Sequence, residues 1–445
     1  MKKAISLVLC LVLVGTLILG SATALAAEGS ELSGKIVVGG WPVGDKAFEA
    51  ILAGFNEKYP NIEVELDFQQ SGDYNQLLGA SLAAGTGAPD VAMIEQLWVG
   101  RYKDTDRFVN LLDAPYNAGA LKDDFVEYKW NSAVSSDGER LTALVWDIGP
   151  ASTFYRRDVF ESVGLSADPA EVEKLLSTWE GVLEAAEKVY VPNERWLIPN
   201  AFYLFSWFFV NRDYYSIQDG ELVLNLEKPG VREALEAAIT MRKNGWDAQI
   251  PMGARAAEFR PAFFGGQLAF SVSGCWFGGS IKSLAPETSG LWGVSRLPGS
   301  IPDSNWGGSY VGIPAQSENK ELAWAFIEYA MATKEGQNGM FQAVDYFPGY
   351  KPAWDDPLYN EPDAFFADQP VKNLWVDISK AIQPMFSTQM DNATEELVFT
   401  AVDAALNQFD NVDDILEYTR KEVMAGIKQD FENTVEALKE AGLLN

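Results

Sequence analysis

Histidine is absent from this chain of 445 residues, and cysteine occurs only twice, at Cys10 and Cys275. Without histidine, catalysis of the Ser-His-Asp or Cys-His type is excluded, and zinc loses its commonest ligand. Cys10 lies in the apolar run at the amino terminus, so a chain that loses this run keeps one cysteine and cannot form an internal disulfide. The fold must therefore be held together by its hydrophobic core.

Positive charge is scarce as well. The chain has 34 Lys and Arg residues against 63 Asp and Glu residues, which gives a formal net charge of −29. Removal of Lys2 and Lys3 with a leader would subtract two positive charges and give −31. A surface this acidic repels nucleic acid and anionic lipid, so we expect no nucleic-acid partner. The charge fits an exported protein with a neutral or cationic ligand, although acidic surfaces also serve solubility alone.

The amino terminus predicts a secretory signal peptide over residues 1–26. Lys2 and Lys3 form a short positive region, residues 4–20 are apolar, and Ala24-Leu25-Ala26 is a small-x-small cleavage site. We expect the mature chain to begin near Ala27 and to be extracytoplasmic, either periplasmic or secreted to the cell surface. The alternative is an uncleaved membrane anchor. No second apolar run has the length of a membrane span, and roughly 420 mature residues suffice for two sizeable cores.

The first part of the mature chain alternates strand and helix patterns. Residues 36–40 form a short apolar strand, and residues 62–68 alternate apolar and acidic side chains, as a half-buried strand does. Apolar residues recur at helical spacing over 48–59 and 74–82, and residues 91–94 form a third strand. This order is typical of an open α/β sheet, which binds ligands at the carboxyl ends of its strands.

The same alternation continues to the end of the chain. We expect further strands at 141–146 and 268–273, and helices at 179–186, 231–245 and 322–331. Two or three more helices should follow, roughly over 394–409 and 412–441. Internal repeats and low-complexity linkers are absent from the sequence. Their absence favours two lobes that share the chain by crossing more than once, so that strands make the hinge.

Several motifs occur in an order that resembles a known family. FNEKYPNIEV at 55–64 is followed by LAAGTGAPDV at 82–91, and FYRRDVF at 154–160 begins a further strand and helix. FFGGQLAF at 263–270 fits a turn with a strand, and GGSYVGIP at 307–314 fits a return strand. In these motifs the chain resembles the extracellular solute-binding proteins of ABC importers. It is most similar to their carbohydrate-binding family, the relatives of maltose-binding protein.

The resemblance implies an α/β, two-lobed fold like that of periplasmic binding proteins, with open sheets, flanking helices and a hinge crossed several times. One lobe would hold residues 27–147 and about 308–375, and the other about 148–307 and about 376–445. It also implies that the protein captures a carbohydrate, which we expect to be an oligosaccharide, between the lobes and delivers it to the ABC permease subunits. We expect a monomer that is not an enzyme and uses no cofactor or metal.

Aromatic side chains are candidates for stacking on a sugar, because the apolar face of a pyranose packs on an indole or phenol ring. The candidates follow predicted strands or lie near predicted turns and loops: Trp41, Trp98, Tyr203, Trp207, Trp276, Trp306, Tyr310 and Tyr346. Tyr203 and Trp207 belong to the apolar run NAFYLFSWFF, so core packing is the stronger alternative for them. Tyr346 falls where the family has a loop that can close over the ligand.

Polar candidates complete the predicted site, because sugar hydroxyls require carboxylates, amides and backbone groups in a partly dry cleft. Glu95 ends the third strand, and Asp147 is predicted to end the strand at 141–146. Gln70 lies at the end of the second strand, and Gly307 belongs to the GGSYVGIP motif. Arg156 stands where the family usually has asparagine, so specificity would be altered if this position faces the ligand.

Other functions are left open by the residues. Asp147 and Glu95 could serve as acid and nucleophile of a secreted glycoside hydrolase. A polyamine, a peptide or another cation could bind the aromatic and acidic groups through cation–π contacts. A structural or adhesive surface protein is disfavoured, because the sequence has no repeats or anchoring signal. Asp410-Asn411-Val412-Asp413-Asp414 lacks the glycine and terminal glutamate of a calcium loop, so it predicts a helix start.

Overall fold

The computed structural model describes residues 32–251, 255–383, 386, 388–440 and 442–444, without the side chains of Ser71, Arg255 and Ala256. The predicted signal peptide lies outside these ranges. Within them, no helix combines the length and the apolar character that crossing a membrane requires. The chain divides into two compact units. The first holds the residues up to Met93, Arg107–Val109 and Val311–Ala343, and the second holds Ile94–Asp106, Asn110–Tyr310 and Val344–Asn445.

Strands and helices alternate along the described residues. The strands are β1 (Gly34–Gly40), β2 (Ile62–Phe68), β3 (Val91–Glu95), β4 (Leu144–Arg156), β5 (Tyr215–Gln218), β6 (Glu221–Leu224), β7 (Phe270–Gly274), β8 (Trp292–Ser295), β9 (Asn305–Gly312) and β10 (Phe347–Pro348). The helices are α1 (Gly44–Lys58), α2 (Ser71–Ala84), α3 (Gln96–Tyr102), α4 (Glu127–Ala133), α5 (Arg157–Ser162), α6 (Pro169–Leu176), α7 (Trp179–Val189), α8 (Tyr203–Ser206), α9 (Val231–Asn244), α10 (Arg260–Phe264), α11 (Phe277–Leu284), α12 (Lys320–Met331), α13 (Lys334–Val344), α14 (Val371–Ala381), α15 (Asp391–Leu406), α16 (Val412–Gly426) and α17 (Lys428–Glu440).

A parallel sheet with the strand order β2-β1-β3 forms the centre of the first unit. β1 pairs with β2 from Gly34↔Ile62 onwards and with β3 at Val38↔Val91. The acidic residues of β2 are exposed, whereas its apolar residues are buried or half-buried. This pattern confirms the alternation predicted for residues 62–68, because successive side chains of a strand point to opposite faces.

Aromatic side chains fill the core beside this sheet. The Phe326 ring of α12 lies 5.7 Å from the Phe48 ring and 5.1 Å from the Phe55 ring, both on α1. Gly54 allows α12 to approach, because a Cβ at this position would lie 2.3 Å from the Tyr329 hydroxyl. The predicted helix at 48–59 is therefore confirmed, together with the core on which its apolar face packs.

Asp90 braces the start of β3. Its Oδ2 accepts a hydrogen bond from the Val37 amide at 2.9 Å. Its Oδ1 accepts from Ser317 Oγ at 2.6 Å and from Asn319 Nδ2 at 3.2 Å. The carboxylate thus ties together three parts of the first unit that are distant in sequence, and it is fully occupied by this structural task.

Strand β4 organises the second unit and differs from the prediction. The sequence predicts that a strand at 141–146 stops before Gly149-Pro150, but β4 runs through these residues and is buried at every position. Gly149 fits into the strand because its amide has an acceptor: it donates a hydrogen bond to the Asn305 side chain at 2.8 Å. Pro150 has no amide hydrogen to place, and it lies where β4 changes partners, from β10 before it to β7 and β8 after it.

Helices enclose a large core around the second half of β4. Thr178 begins α7, and its Oγ1 accepts a hydrogen bond from the Gly181 amide at 3.1 Å. Gly245 ends α9 in the left-handed conformation, with a φ of 69°. Both helices are therefore close to their predicted positions. The threonine that caps α7 and the glycine that ends α9 can both be recognised in the sequence.

The carboxyl-terminal helices agree with the prediction of two or three. The described residues form three, α15, α16 and α17, because α16 and α17 are separated at Ile427, whose side chain is buried. Gly426 precedes the break and packs closely on α15, since a Cβ there would lie 2.6 Å from Leu397 Cδ1. The predicted start is confirmed: Asn411 Oδ1 accepts from the Asp414 amide at 2.9 Å and caps α16.

Candidate functional site

A buried lysine, Lys129, lies at the centre of a polar cluster in the second unit. It belongs to the buried side of α4. Its Nζ donates hydrogen bonds to Gln96 Oε1 at 2.5 Å and to the Gly307 carbonyl oxygen at 2.8 Å. The ammonium group also lies 4.6 Å from the centre of the Tyr310 ring. These contacts replace the water that an ammonium group loses on burial.

Asp147 is the acidic partner of this lysine. It lies inside β4 with 2% of its surface exposed, and not at the end of a strand as predicted. Ser309 Oγ donates a hydrogen bond to its Oδ1. Burial raises the pKa of Asp147 to about 6, although Lys129 and Ser309 oppose this shift. Burial also lowers the pKa of Lys129 to about 7, against the charges of Asp147 and Glu95. Each group therefore stabilises the charged form of the other.

Asn305 fixes the orientation of the amide groups in this cluster. Its Oδ1 accepts from the Gly149 amide at 2.8 Å, and its Nδ2 donates to the Gly307 carbonyl at 2.9 Å and to Gln96 Oε1 at 3.0 Å. The Gly149 amide and the Gly307 carbonyl show which side-chain atom of Asn305 is the oxygen and which is the nitrogen. In the same way, the bonds from Asn305 and Lys129 identify the side-chain oxygen of Gln96. Gln96 directs its oxygen into the cluster, which leaves its Nε2 amide on the other side.

Two glycines of β9 shape the cluster, and this strand confirms the return strand predicted at 307–314. Gly307 and Gly308 lie within the strand, with φ values of 84° and 89° that favour glycine. A Cβ on Gly308 would lie 2.4 Å from the Asp147 carbonyl oxygen. The local kink allows β9 to approach β4 and presents the Gly307 carbonyl to Lys129 and Asn305.

Glu95 and Arg212 extend the cluster. Glu95 ends β3 as predicted and is half-buried. Burial raises the pKa of Glu95, whereas the charges of Arg212 and Lys129 lower it. Arg212 Nε donates to Glu395 Oε2 at 2.9 Å. Although burial lowers the pKa of Arg212, the charges of Glu395 and Glu95 raise it overall.

Two tryptophans flank the cluster. Trp276 Nε1 donates to the Trp306 carbonyl oxygen at 3.0 Å, and Trp306 directly precedes Gly307. Both tryptophans are half-buried, so part of each ring reaches the surface. Trp276 also lines a pocket of about 340 Å³ together with Phe259 and Ser273. Indole surface beside a polar cluster is the combination that a sugar ring and its hydroxyls require.

A second, polar opening lies on the Gln96 side of the cluster. This polar cleft has a volume of about 490 Å³ and is open to solvent. Its lining includes Gln96, Arg101, Ser132, Asn211, Arg212 and Asp391. All of these residues belong to the second unit.

The structure brings six of the predicted site residues together. They contact one another or Lys129 and its neighbours, or interact with Lys129 through their charge, as Glu95 does: Glu95, Asp147, Trp276, Trp306, Gly307 and Tyr310. Tyr310 is fully buried, so its ring supports Lys129 from inside the core. Trp98 lies on α3, one turn after Glu95, with its ring 4.7 Å from the Arg101 guanidinium. The ligand contacts of these residues stay predictions.

The other predicted residues have different neighbours. Tyr203 and Trp207 are 8% and 1% exposed and belong to the core of the second unit, where their rings stack 5.9 Å apart. Tyr346 packs on Trp146 at 5.3 Å. In the first unit, Trp41 follows β1 and meets the Tyr74 ring at 6.0 Å, and the exposed Gln70 precedes α2 rather than ending β2.

Sequence reasoning missed the residues that hold the cluster together: Gln96, Lys129, Arg212, Asn305 and Ser309. Lys129 is buried together with Tyr128 and Trp130, its two neighbours in α4. Gln96 directly follows Glu95 at a strand end, where ligand contacts were expected. Among the described residues, no group of three or more Cys, Asp or Glu side chains is suited to hold a metal ion.

Arg156 is held in place by contacts within the protein. Its guanidinium forms hydrogen bonds to both carboxylate oxygens of Asp158 at 2.8 and 2.7 Å and to the Phe264 carbonyl at 2.6 Å. It also lies 5.2 Å from the Trp292 ring centre. These contacts bury the side chain, so the arginine supports the end of β4.

Comparison with known proteins places the chain in a family. The family model described as bacterial extracellular solute-binding protein matches residues 50–367. The chain is a bacterial extracellular solute-binding protein. This solute-binding protein is 24% identical to the arabinooligosaccharide-binding protein of Halalkalibacterium halodurans over 336 residues, which cover 72% of each chain. It is 23% identical to the arabinooligosaccharide-binding protein of Bacillus subtilis over 406 residues, or 87% of this chain and 90% of the relative.

Solved structures share the fold of this solute-binding protein. An extracellular solute-binding protein of family 1 superposes with a TM-score of 0.73 at 24% identity, covering 88% of this chain and 99% of that one. The ABC transporter associated binding protein of B. animalis subsp. lactis, solved with β-1,6-galactobiose, gives 0.69 at 20% identity, with 89% and 98% covered. These likenesses confirm the predicted α/β class with its two-lobed, periplasmic-binding-protein-like fold. The lobe boundaries stay a prediction.

Proposed function

We propose that this protein binds an oligosaccharide outside the cytoplasm and delivers it to the permease subunits of an ABC importer. The observation that carries the proposal is its similarity to two relatives that are both named for binding arabino-oligosaccharides. The B. animalis protein, which shares the fold, was solved with a disaccharide. The proposal therefore specifies a sugar of at least two units.

The chemistry of the cluster supports a sugar ligand. Trp276 and Trp306 offer partly exposed indole surface, and Glu95 and Gln96 offer polar groups at the end of β3. Asp147 acts indirectly. Its carboxylate accepts a hydrogen bond from Ser309, and its charge stabilises the charged form of Lys129. Lys129 in turn orients Gln96. Rigid support of this kind reduces the entropy that a binding site loses when it orders around its ligand.

The same geometry supports binding without chemistry. A retaining or inverting hydrolase needs two carboxylates that reach the sugar from opposite sides. Asp147 is buried and hydrogen-bonded within the cluster, so it is not placed to attack a sugar carbon or to protonate a leaving group. We therefore infer that bound sugar leaves the protein unchanged.

A thermal-shift screen of the mature chain tests the proposal. The panel holds arabino-, malto- and galacto-oligosaccharides of increasing length, with spermidine and a short cationic peptide as controls. A ligand that binds only the native state adds RT ln(1 + [L]/Kd) to its stability, about 2.7 kcal/mol at a concentration of 100 Kd. We expect one sugar series to raise the melting temperature and to be recovered intact by chromatography.

The panel also contains the outcomes that would overturn the proposal. A rise with spermidine or the peptide and with no sugar would assign Glu95 to a cation and replace the sugar by a charged ligand. Shorter sugars recovered after incubation would mean that the protein is an enzyme. Permease delivery is tested separately, by sugar uptake into cells that carry or lack the gene for this chain.

A further inference from the structure

The polar cleft presents hydrogen-bond donors that have no partner among the described residues. Gln96 Oε1 accepts from both Lys129 and Asn305, so its Nε2 amide lies on the cleft side. Asn211 Oδ1 accepts from the Asn305 backbone amide, which leaves the Asn211 Nδ2 amide on the cleft side as well. Among residues 32–251, 255–383 and 388–440, neither amide nitrogen has a hydrogen-bond acceptor. The amide oxygens of Gln96 and Asn211 thus accept hydrogen bonds from the protein, and their N–H groups remain available to a ligand.

Arg212 adds a charged fork of donors to the same cleft. Its Nε is used on Glu395, whereas neither Nη1 nor Nη2 has a partner in the part of the chain that the structure describes. Only 11% of the side chain is exposed, and Nη1 is fully buried. Its backbone is in the left-handed region with a φ of 60°, a conformation that non-glycine residues rarely adopt. A buried guanidinium with two idle donors is costly unless an acceptor arrives.

The carboxylate that lines the cleft is already occupied. Both Asp391 oxygens accept from Thr388, one from its amide at 2.7 Å and one from its Oγ1 at 2.9 Å. Arg101 and Arg212 are the cations of the lining, and Asp391 is its carboxylate. Arg212 is itself paired with Glu395, which lies outside the lining. Glu95 and Glu395 stand behind Arg212 and hold its charge in place.

We propose that the polar cleft binds the carboxylate of an acidic sugar unit, with Arg212 and the Gln96 and Asn211 amides as its donors. This inference rests on the proposed function and narrows its substrate class to oligosaccharides that contain a uronic acid. A carboxylate offers only acceptors, so it can receive hydrogen bonds from all three side chains at once.

Calorimetry with matched pairs of sugars tests the inference. One pair is α-1,4-digalacturonate and α-1,4-galactobiose, which differ only in carboxylate against hydroxymethyl at C6. The other is a glucuronic-acid-substituted xylo-oligosaccharide and its unsubstituted counterpart. In the wild type we expect at least one acidic sugar to bind ten or more times more tightly than its neutral partner, as charge-assisted hydrogen bonds predict.

Two variants change the cleft in different ways. Gln96→Glu is isosteric and keeps an oxygen for Lys129, but it replaces the free amide by an acceptor that repels a carboxylate. Arg212→Gln combined with Glu395→Gln removes the fork without leaving a buried charge unpaired. We expect each to lower the ratio of acidic to neutral affinity at least tenfold. Arg420→Gln, an arginine that contacts Leu224 and Glu227 outside the cleft, serves as the matched control and leaves the ratio unchanged.

Each outcome decides something. Equal or weaker binding of both acidic sugars, with a neutral sugar bound, overturns the inference and leaves the proposed function intact. An acidic preference that survives in Gln96→Glu places the carboxylate elsewhere and also overturns it. If no sugar of either kind binds to the wild type or raises its melting temperature, the proposed function fails, and the inference fails with it.

Discussion

Replacement of Gly149 by alanine tests the close approach of β4 and β9 that shapes the candidate site. Gly149 has no left-handed φ, so alanine meets no backbone strain there. Its Cβ would, however, lie 2.0 Å from the Trp306 carbonyl oxygen. A carbon and a carbonyl oxygen normally approach to about 3.3 Å. The two strands would therefore have to separate locally by more than about 1 Å.

The magnitude follows from what this separation breaks. The Ala151 amide donates to the Ser304 carbonyl at 2.8 Å, and the Gly149 amide donates to Asn305 Oδ1 at 2.8 Å. An added ångström takes both bonds beyond hydrogen-bond range, at about 1 kcal/mol each. Overpacking adds about 1–3 kcal/mol, so we expect the Gly149→Ala variant to lose roughly 3–5 kcal/mol of stability.

Urea denaturation of the mature chain, followed by tryptophan fluorescence and circular dichroism, measures this loss. Gly100→Ala is the matched control, because a Cβ at Gly100 meets nothing within 4 Å and the residue lies in α3. Alanine should stabilise that helix by up to about 1 kcal/mol. A Gly149→Ala variant within about 0.5 kcal/mol of the wild type, with unchanged sugar affinity, would refute the proposed tight contact between the strands.

Three further predictions concern binding, pH and capping. Trp276→Ala should weaken sugar binding by more than about 1 kcal/mol, with Trp276→Phe in between; unchanged affinity in the folded alanine variant would remove the stacking role. Because burial raises the pKa of Asp147 to about 6, its contribution to stability is present below about pH 4 and lost as the pH rises through 6. Asp147→Asn should therefore gain relative to the wild type by about 1 kcal/mol or more between pH 4 and pH 6; parallel stability curves would contradict the raised pKa. Thr178→Ala should cost about 1 kcal/mol in thermal unfolding, whereas Thr178→Ser should cost much less.

Sequence patterns predicted elements well where local chemistry decides them. β2 was legible because its acidic face meets water and its apolar face meets a core. α7 and α9 were legible because a threonine cap and a terminal glycine mark their ends. β4 was misjudged at Gly149-Pro150, because the partners that make this break harmless lie far away in the chain. A glycine and a proline in the local sequence cannot reveal that the distant Asn305 side chain supplies an acceptor for the Gly149 amide.

The candidate site shows the same limit. Glu95 and Trp276 could be selected because they follow strands, where α/β proteins bind ligands. Lys129 could not be selected, because a lysine on a short helix is usually solvated and its burial depends on residues of β3, α3 and β9. Tyr203 and Trp207 show the opposite error, since aromatic residues suit a core as well as a sugar and only the packing decides between them.

The long strand β4 also has a consequence for how the chain folds. Its neighbours β7, β8, β9 and β10 are all encoded far downstream of Arg156, so no local hairpin can complete the strand. Contacts between distant segments slow folding, because the loops between them must close first. The second unit should therefore complete its fold only after synthesis has passed Pro348, so the first half of β4 and the second half wait together for partners made later.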